Sequence, residues 1–224
     1  MQTNVYIDGF NLYYCAVKHT PYKWLNLLGL CNNLFPGKSF HKIRYFTAKI
    51  KASRHDPHAP TRQEIYWRAL ATTPEVEIIE GSFVEWPKRM FQYPLAYIGN
   101  NYNRPPQLVQ VLKAEEKGSD VNLAAYLVYD NCVNDIGESI VISNDSDLCE
   151  AIKLVTYKMG RVVTVVNPNR TKMARKFNGC KISRDLVKVA TTHMDSINEK
   201  VLANSLFTPV LTDSIGTFYK PTSW

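Results

Sequence analysis

The sequence predicts an α/β chain: a mostly parallel central sheet with helices on both faces, in three layers. Three observations predict it. Short apolar runs suited to buried strands alternate with stretches of helical periodicity. The 224 residues are 45% hydrophobic, enough for one large core. No repeat or linker divides the chain, so residues 1–224 read as a single domain.

Asn4 to Ile7 is the first short buried strand, and a helix over 11–18 follows it. Trp24, Leu27, Leu28, Cys31, Leu34 and Phe35 recur at helical spacing and predict a second helix. Residues 41–50 (HKIRYFTAKI) are rich in β-formers. A helix is expected over 61–71, after Pro60, then a strand over 76–83 (VEIIEGSF). Residues 84–106 interrupt the rhythm with four prolines and the rings of Trp86, Phe91, Tyr93, Tyr97 and Tyr102, and read as a long ordered loop or insertion. Leu108 to Leu112 reads as a strand. Ser119 is the expected N-cap of a helix with Val121, Ala124, Ala125, Val128 and Cys132 on its apolar face. Ser139–Ser143 and Arg161–Val166 are further buried strands, with a helix over 148–157 between them. Residues from about 168 to 224 form an extension that mixes helix and loop.

Several classes are disfavoured. No apolar run reaches the roughly 18 residues that span a bilayer, and no leader precedes the first strand, so a cytoplasmic location is expected. The five cysteines form no C-x-x-C pair and read as thiols in a reducing compartment. Neither a Walker-type loop nor a G-x-G-x-x-G is present, which speaks against a nucleotide cofactor. His55 and His58 flank Asp56-Pro57 in a loop and make a poor ligand pair.

The net charge of +7 is unevenly spread. Residues 38–68 and 158–188 are basic, and residues 115–150 between them are acidic. That pattern fits a polyanion-binding rim around an acidic site, or a merely solvated surface.

The acids sit at telling places. Asp8 follows the first strand directly. Asp120 opens the helix after Leu108–Leu112. Asp145 and Asp147, in "SNDSDL", follow the strand ending in Ser143. In parallel sheets functional groups gather at the carboxyl ends of strands, so four carboxylates can share one crevice. Their repulsion favours protonation or a cation, and Mg²⁺ or Mn²⁺ suits such oxygen donors. Each acid also has a plainer role in capping its helix. Asn11 is the expected polar partner of Asp8, with Ser143 and Asn144 playing the same part beside Asp145.

"VYIDGFNLYY", "EEKGSDVNLAAYL" and "VISNDSDL", in this order, resemble the NYN-domain family of PIN-like nucleases. The resemblance runs from the first strand through "RVVTVVNP" at 161–168, and the terminal "FYKPTSW" is similar to the end of single-domain bacterial members. It implies a PIN-like, Rossmann-like three-layer fold and divalent-metal-dependent cleavage of RNA. The family's acidic positions fall on Asp8, Asp120, Asp145 and Asp147, with Asn11 beside Asp8.

The expectation from sequence is therefore a metal-dependent ribonuclease, with Mg²⁺ or Mn²⁺ held by those four aspartates. Arg44, Lys49, Lys51, Lys113 and Lys117 are the candidate phosphate contacts, and RNA is the expected partner. A non-catalytic RNA-binding module is the alternative, and a metal-dependent phosphatase stands behind it. The rings of residues 84–106, set among Lys88, Arg89 and Arg104, suit base stacking or packing on the domain.

Overall fold

The computed structural model describes residues 2–134, 136–177 and 180–224. Its centre is β1 (Gln2–Asp8), parallel to β2 (Phe40–Ala48) on one side and to β5 (Ile136–Ile142) on the other. β3 (Val76–Phe91) and β4 (Leu108–Lys117) extend the sheet beyond β2. β6 (Val162–Val166) and β7 (Thr192–Met194) extend it beyond β5. The order is β4-β3-β2-β1-β5-β6-β7, parallel throughout except for β4. This is the predicted three-layer α/β fold. A central strand loses solvent on both faces, which is why Val5, Tyr6 and Ile7 are all fully buried.

Alternation along β1 divides the interior. Val5 and Ile7 point into one core with α2 (Leu27–Leu34), α3 (Ala59–Ala71) and α8 (Glu199–Ala203), as well as Trp24, Phe207 and Phe218. Tyr6 points the other way, among α4 (Ser119–Val133), α5 (Cys149–Lys153) and α7 (Arg184–Val189). α6 (Thr171–Lys176) follows β6, and β8 (Val210–Asp213) forms a hairpin with β9 (Gly216–Tyr219). Among the described residues no helix is long and apolar enough to cross a membrane.

Several expected elements differ. The first helix, α1 (Gly9–Leu12), begins two residues before Asn11 because Asp8 caps it, and it continues as a π-helical turn over Tyr13–Val17. The second starts at Leu27 because Asn26 accepts the Gly29 N–H at 2.9 Å; Trp24 lies outside it, held by its indole N–H to Thr208 O at 2.9 Å. The Pro-rich stretch is not loop from its start. Residues 82–91 continue β3 and pair antiparallel with all of β4, forming a two-stranded ribbon. β2 accompanies β3 only as far as Gly81, so from there β3 has a partner on one side only, and Pro87 is tolerated in such a strand.

α4 also presents a different face. Leu123, Leu127, Asp130 and Asn131 are buried, whereas Val121, Ala125 and Cys132 are exposed. Gly118, not Ser119, is the N-cap: its φ of +100° suits glycine, and Glu116 accepts both the N–H and the Oγ–H of Ser119 at 3.1 and 2.8 Å. β7 and the β8–β9 hairpin come from the extension expected to be helix and loop.

Polar residues under α4 form a closed group. Asp130, 1% exposed, accepts from the Tyr6 hydroxyl at 2.8 Å and pairs with Arg44 at 3.2 Å, and the guanidinium lies 4.5 Å from the centre of the Tyr126 ring. Removing one partner leaves the other charge buried. Asp130→Ala is expected to cost about 3 kcal/mol in urea denaturation, whereas the exposed-pair variant Asp185→Ala should leave the unfolding midpoint essentially where it is.

Candidate functional site

Asp8 is the last residue of β1 and only 4% exposed. Its Oδ1 accepts the Asn11 backbone N–H at 2.8 Å and its Oδ2 accepts the Ser143 hydroxyl at 2.9 Å. Burial raises its pKa; the hydrogen bonds from Asn11, Ser143 and Phe10 oppose the rise, and the charge of Asp145 adds to it. The residue after it must be small: a Cβ on Gly9 would stand 2.6 Å from Phe46 O and 2.8 Å from the Tyr45 ring.

Ser143 follows β5 and is fully buried. It donates to Asp8 while its oxygen accepts the Asp145 N–H at 3.1 Å, so it ties the ends of two neighbouring strands together. Asp145 caps a short turn by accepting the Asp147 N–H at 3.0 Å. Asn11 Oδ1 accepts from the Asn144 N–H at 3.3 Å and from the Cys15 thiol at 3.7 Å. The Asn144 side chain donates to Lys181 O at 3.0 Å and accepts the Ser183 N–H at 2.7 Å, which fastens the segment before α7 to the same edge.

Asp120 arrives by an unexpected route. Its preceding strand β4 runs antiparallel, not parallel. The ribbon carries the chain away and β4 brings it back, pairing Lys117 with Ser82. α4 therefore also opens at the carboxyl edge of the parallel strands. The Asp120 pKa is raised to about 6, first by burial, then by the charges of Asp8, Asp145, Glu116 and Asp147. The four predicted aspartates thus share one electrostatic neighbourhood. Among the described residues no three His, Cys, Asp or Glu side chains are grouped so as to hold a metal ion.

The predicted phosphate contacts lie elsewhere or are already paired. Arg44 belongs to the Asp130 group. Asp130 follows Asp120 by ten residues, about 15 Å along a helix. Lys49 pairs with Glu64 at 2.5 Å, Lys51 with Glu85 at 3.0 Å, and Lys113 and Lys117 both with Glu115. The last two also lie over the Trp86 ring. Tyr93 and Tyr102 are exposed beyond the ribbon strands.

Sequence reasoning missed Cys15, which hydrogen-bonds Asn11, and Tyr45, which abuts Gly9 and whose phenol pKa burial and the Asp8 charge raise. Their four-residue and 37-residue separations from Asn11 and Asp8 carried no motif.

Asp120 gives a pH signature. A carboxylate with a raised folded-state pKa binds protons more tightly folded than unfolded. Stability therefore falls as pH rises from near 4 to about 6, and the penalty is complete above that window. Asp120→Asn is expected to leave stability at pH 3 unchanged and to raise it at pH 7. Solvent screening of this half-exposed group reduces the gain to about 1 kcal/mol. Thermal unfolding at the two pH values measures it.

No family model matches the chain. Over a 251-residue alignment it is 30% identical to the 6-hydroxy-3-succinoylpyridine 3-monooxygenase HspA of Pseudomonas putida (strain DSM 28022 / S16), covering 100% of this chain and 75% of that protein. A solved structure of a Vibrio parahaemolyticus RIMD 2210633 protein of unknown function matches with a TM-score of 0.51 at 14% identity, covering 92% of this chain and 96% of that one. The second likeness concerns the fold alone. The first overturns the metal-dependent ribonuclease, and the phosphatase behind it, because a monooxygenase is an oxidoreductase and not a hydrolase. Carboxylates at strand ends set a local field and a protonation state; they do not determine which bond is attacked.

Proposed function

The chain belongs to the family of that monooxygenase, and from this premise we propose that it is an oxidoreductase placing one oxygen atom of dioxygen on a small hydroxylated pyridine-type ring. The observation that carries this reading is a likeness running through the whole chain, including the β1, α4 and β5 segments that build the acidic edge.

At a ring carbon that carries an acyl group, as C3 of 6-hydroxy-3-succinoylpyridine does, the new C–OH replaces the ring C–C bond, the acyl group leaves as an aldehyde and the second oxygen atom leaves as water. Two hydrides from a reductant of the reduced nicotinamide class, with two protons from solvent, balance this step. A proton must reach the departing acyl carbon, and drawing the proton from a ring hydroxyl makes the carbon that gains oxygen more electron-rich. Asp120 suits this traffic, because a carboxyl titrating near 6 can take and release a proton close to neutral pH. Asp8, Ser143 and Asn11 position the edge around it.

The first strand–helix turn does not fit a dinucleotide. In doubly wound folds a pyrophosphate sits on the N-terminus of the first helix. Here the buried Asp8 carboxylate occupies that place and takes the Asn11 N–H. The phosphates of a reductant belong at another part of the surface.

Incubation with 6-hydroxy-3-succinoylpyridine, a reduced nicotinamide and ¹⁸O₂ tests the proposal. The expected result is oxygen uptake with one ¹⁸O atom in the product. Asp120→Asn should lower kcat about 100-fold and remove the limb of the pH profile near pH 6. No oxygen uptake with this or related hydroxypyridines, or phosphodiester cleavage without oxygen uptake, overturns it.

A further inference from the structure

A cavity of about 450 Å³ opens between α1, its π-helical turn and α3. Tyr45, Tyr66, Trp67 and Trp224 contribute rings to its wall, and Lys18 and Lys23 contribute cations. Its volume lies in the range of small-molecule sites. Gly9, the residue directly after Asp8, is part of the wall, so the cavity adjoins the acidic edge.

The wall is held in place before any ligand arrives. The Tyr66 hydroxyl donates to Leu25 O at 2.8 Å. Its ring stands edge-on to Tyr45 at 6.4 Å and to Trp224 at 5.9 Å. Fixed rings take a planar ligand with little loss of side-chain freedom.

The charges are unbalanced. The cavity is lined by Lys18, Lys23 and Arg62 against a single acid, Asp56, and Asp56 pairs with Arg62. Lys18 lies over the Tyr14 ring at 4.5 Å. Among the described residues no carboxylate is within ion-pair reach of Lys18 or Lys23, in contrast to Lys49 and Lys51. A broader depression of about 520 Å³ at the opposite edge of the sheet has no such imbalance, because its Lys38 and Glu138 pair with each other.

We propose that this cavity is a binding subsite for a planar aromatic carboxylate, with the ring against the fixed aromatic side chains and the carboxylate held by Lys18 and Lys23. The proposal rests on the oxidoreductase reading for the role of that ligand as substrate, but not for its binding.

Calorimetric titration of the full chain with 6-hydroxynicotinate, with 2-hydroxypyridine as the uncharged control, tests it. The expected result is binding of the carboxylate, weaker binding of the control, and a loss of about tenfold in carboxylate affinity in Lys18→Ala and in Lys23→Ala. Lys23→Glu should abolish carboxylate binding and leave that of the control unchanged. Equal affinity for both probes, no carboxylate binding at millimolar concentration, or affinity unaltered in all three variants overturns the subsite. Carboxylate binding with the expected variant losses, but without oxygen uptake, upholds the subsite and counts against the oxidoreductase reading. Oxygen uptake that is indifferent to both lysines does the reverse.

Discussion

A carboxylate buried at the end of the central strand is the constraint on which the rest of the structure depends. Asp8 is out of water, and an unpaired charge there would be costly. The chain supplies no cation within ion-pair reach among its described residues. Hydrogen-bond donors meet it instead, chiefly the Asn11 backbone N–H and the Ser143 hydroxyl. Meeting that requirement starts α1 at Gly9, joins the ends of β1 and β5, and sets Asn11 where Asn144 can reach it. From Asn144 the same network extends to the segment before α7.

Charge then determines chemistry at this edge. Asp120, Asp145 and Asp147 add to the negative field, and Asp120 responds with a proton affinity well above that of an ordinary carboxyl. The two faces of the edge divide the labour. The acids are gathered where β1, β5 and the start of α4 meet, and the rings and the lysines Lys18 and Lys23 lie between α1 and α3. Only Gly9 has room at the seam, since any side chain there would strike Phe46 or Tyr45.

The sequence made the acidic edge legible because a charged residue directly after an apolar strand has few places to go. Asp8, Asp145 and Asp147 followed from that alone. Asp120 came out at the right edge on the wrong premise: β4 is antiparallel, and only its return along β3 brings α4 back. The ribbon was hidden because Pro87, the rings of Trp86 and Phe91 and the prolines that follow give residues 84–106 the composition of a loop, and nothing local reveals a partner strand about twenty residues away. The cavity was hidden for a different reason. Lys18, Tyr66 and Trp224 come from distant parts of the chain and carry no motif. The chemistry was misread because acids at strand ends serve hydrolysis and proton transfer alike.

Asp8 and Asp120 interact across the carboxyl edge of the sheet, where the Asp8 charge helps to raise the Asp120 pKa. Carboxyl-carbon NMR titration of Asp120 in the wild type and in Asp8→Asn tests it most directly. A midpoint near 6 in the wild type and a clear downward shift in the variant are expected. An Asp120 midpoint in the ordinary carboxylate range, or one that does not move when Asp8 loses its charge, would contradict it.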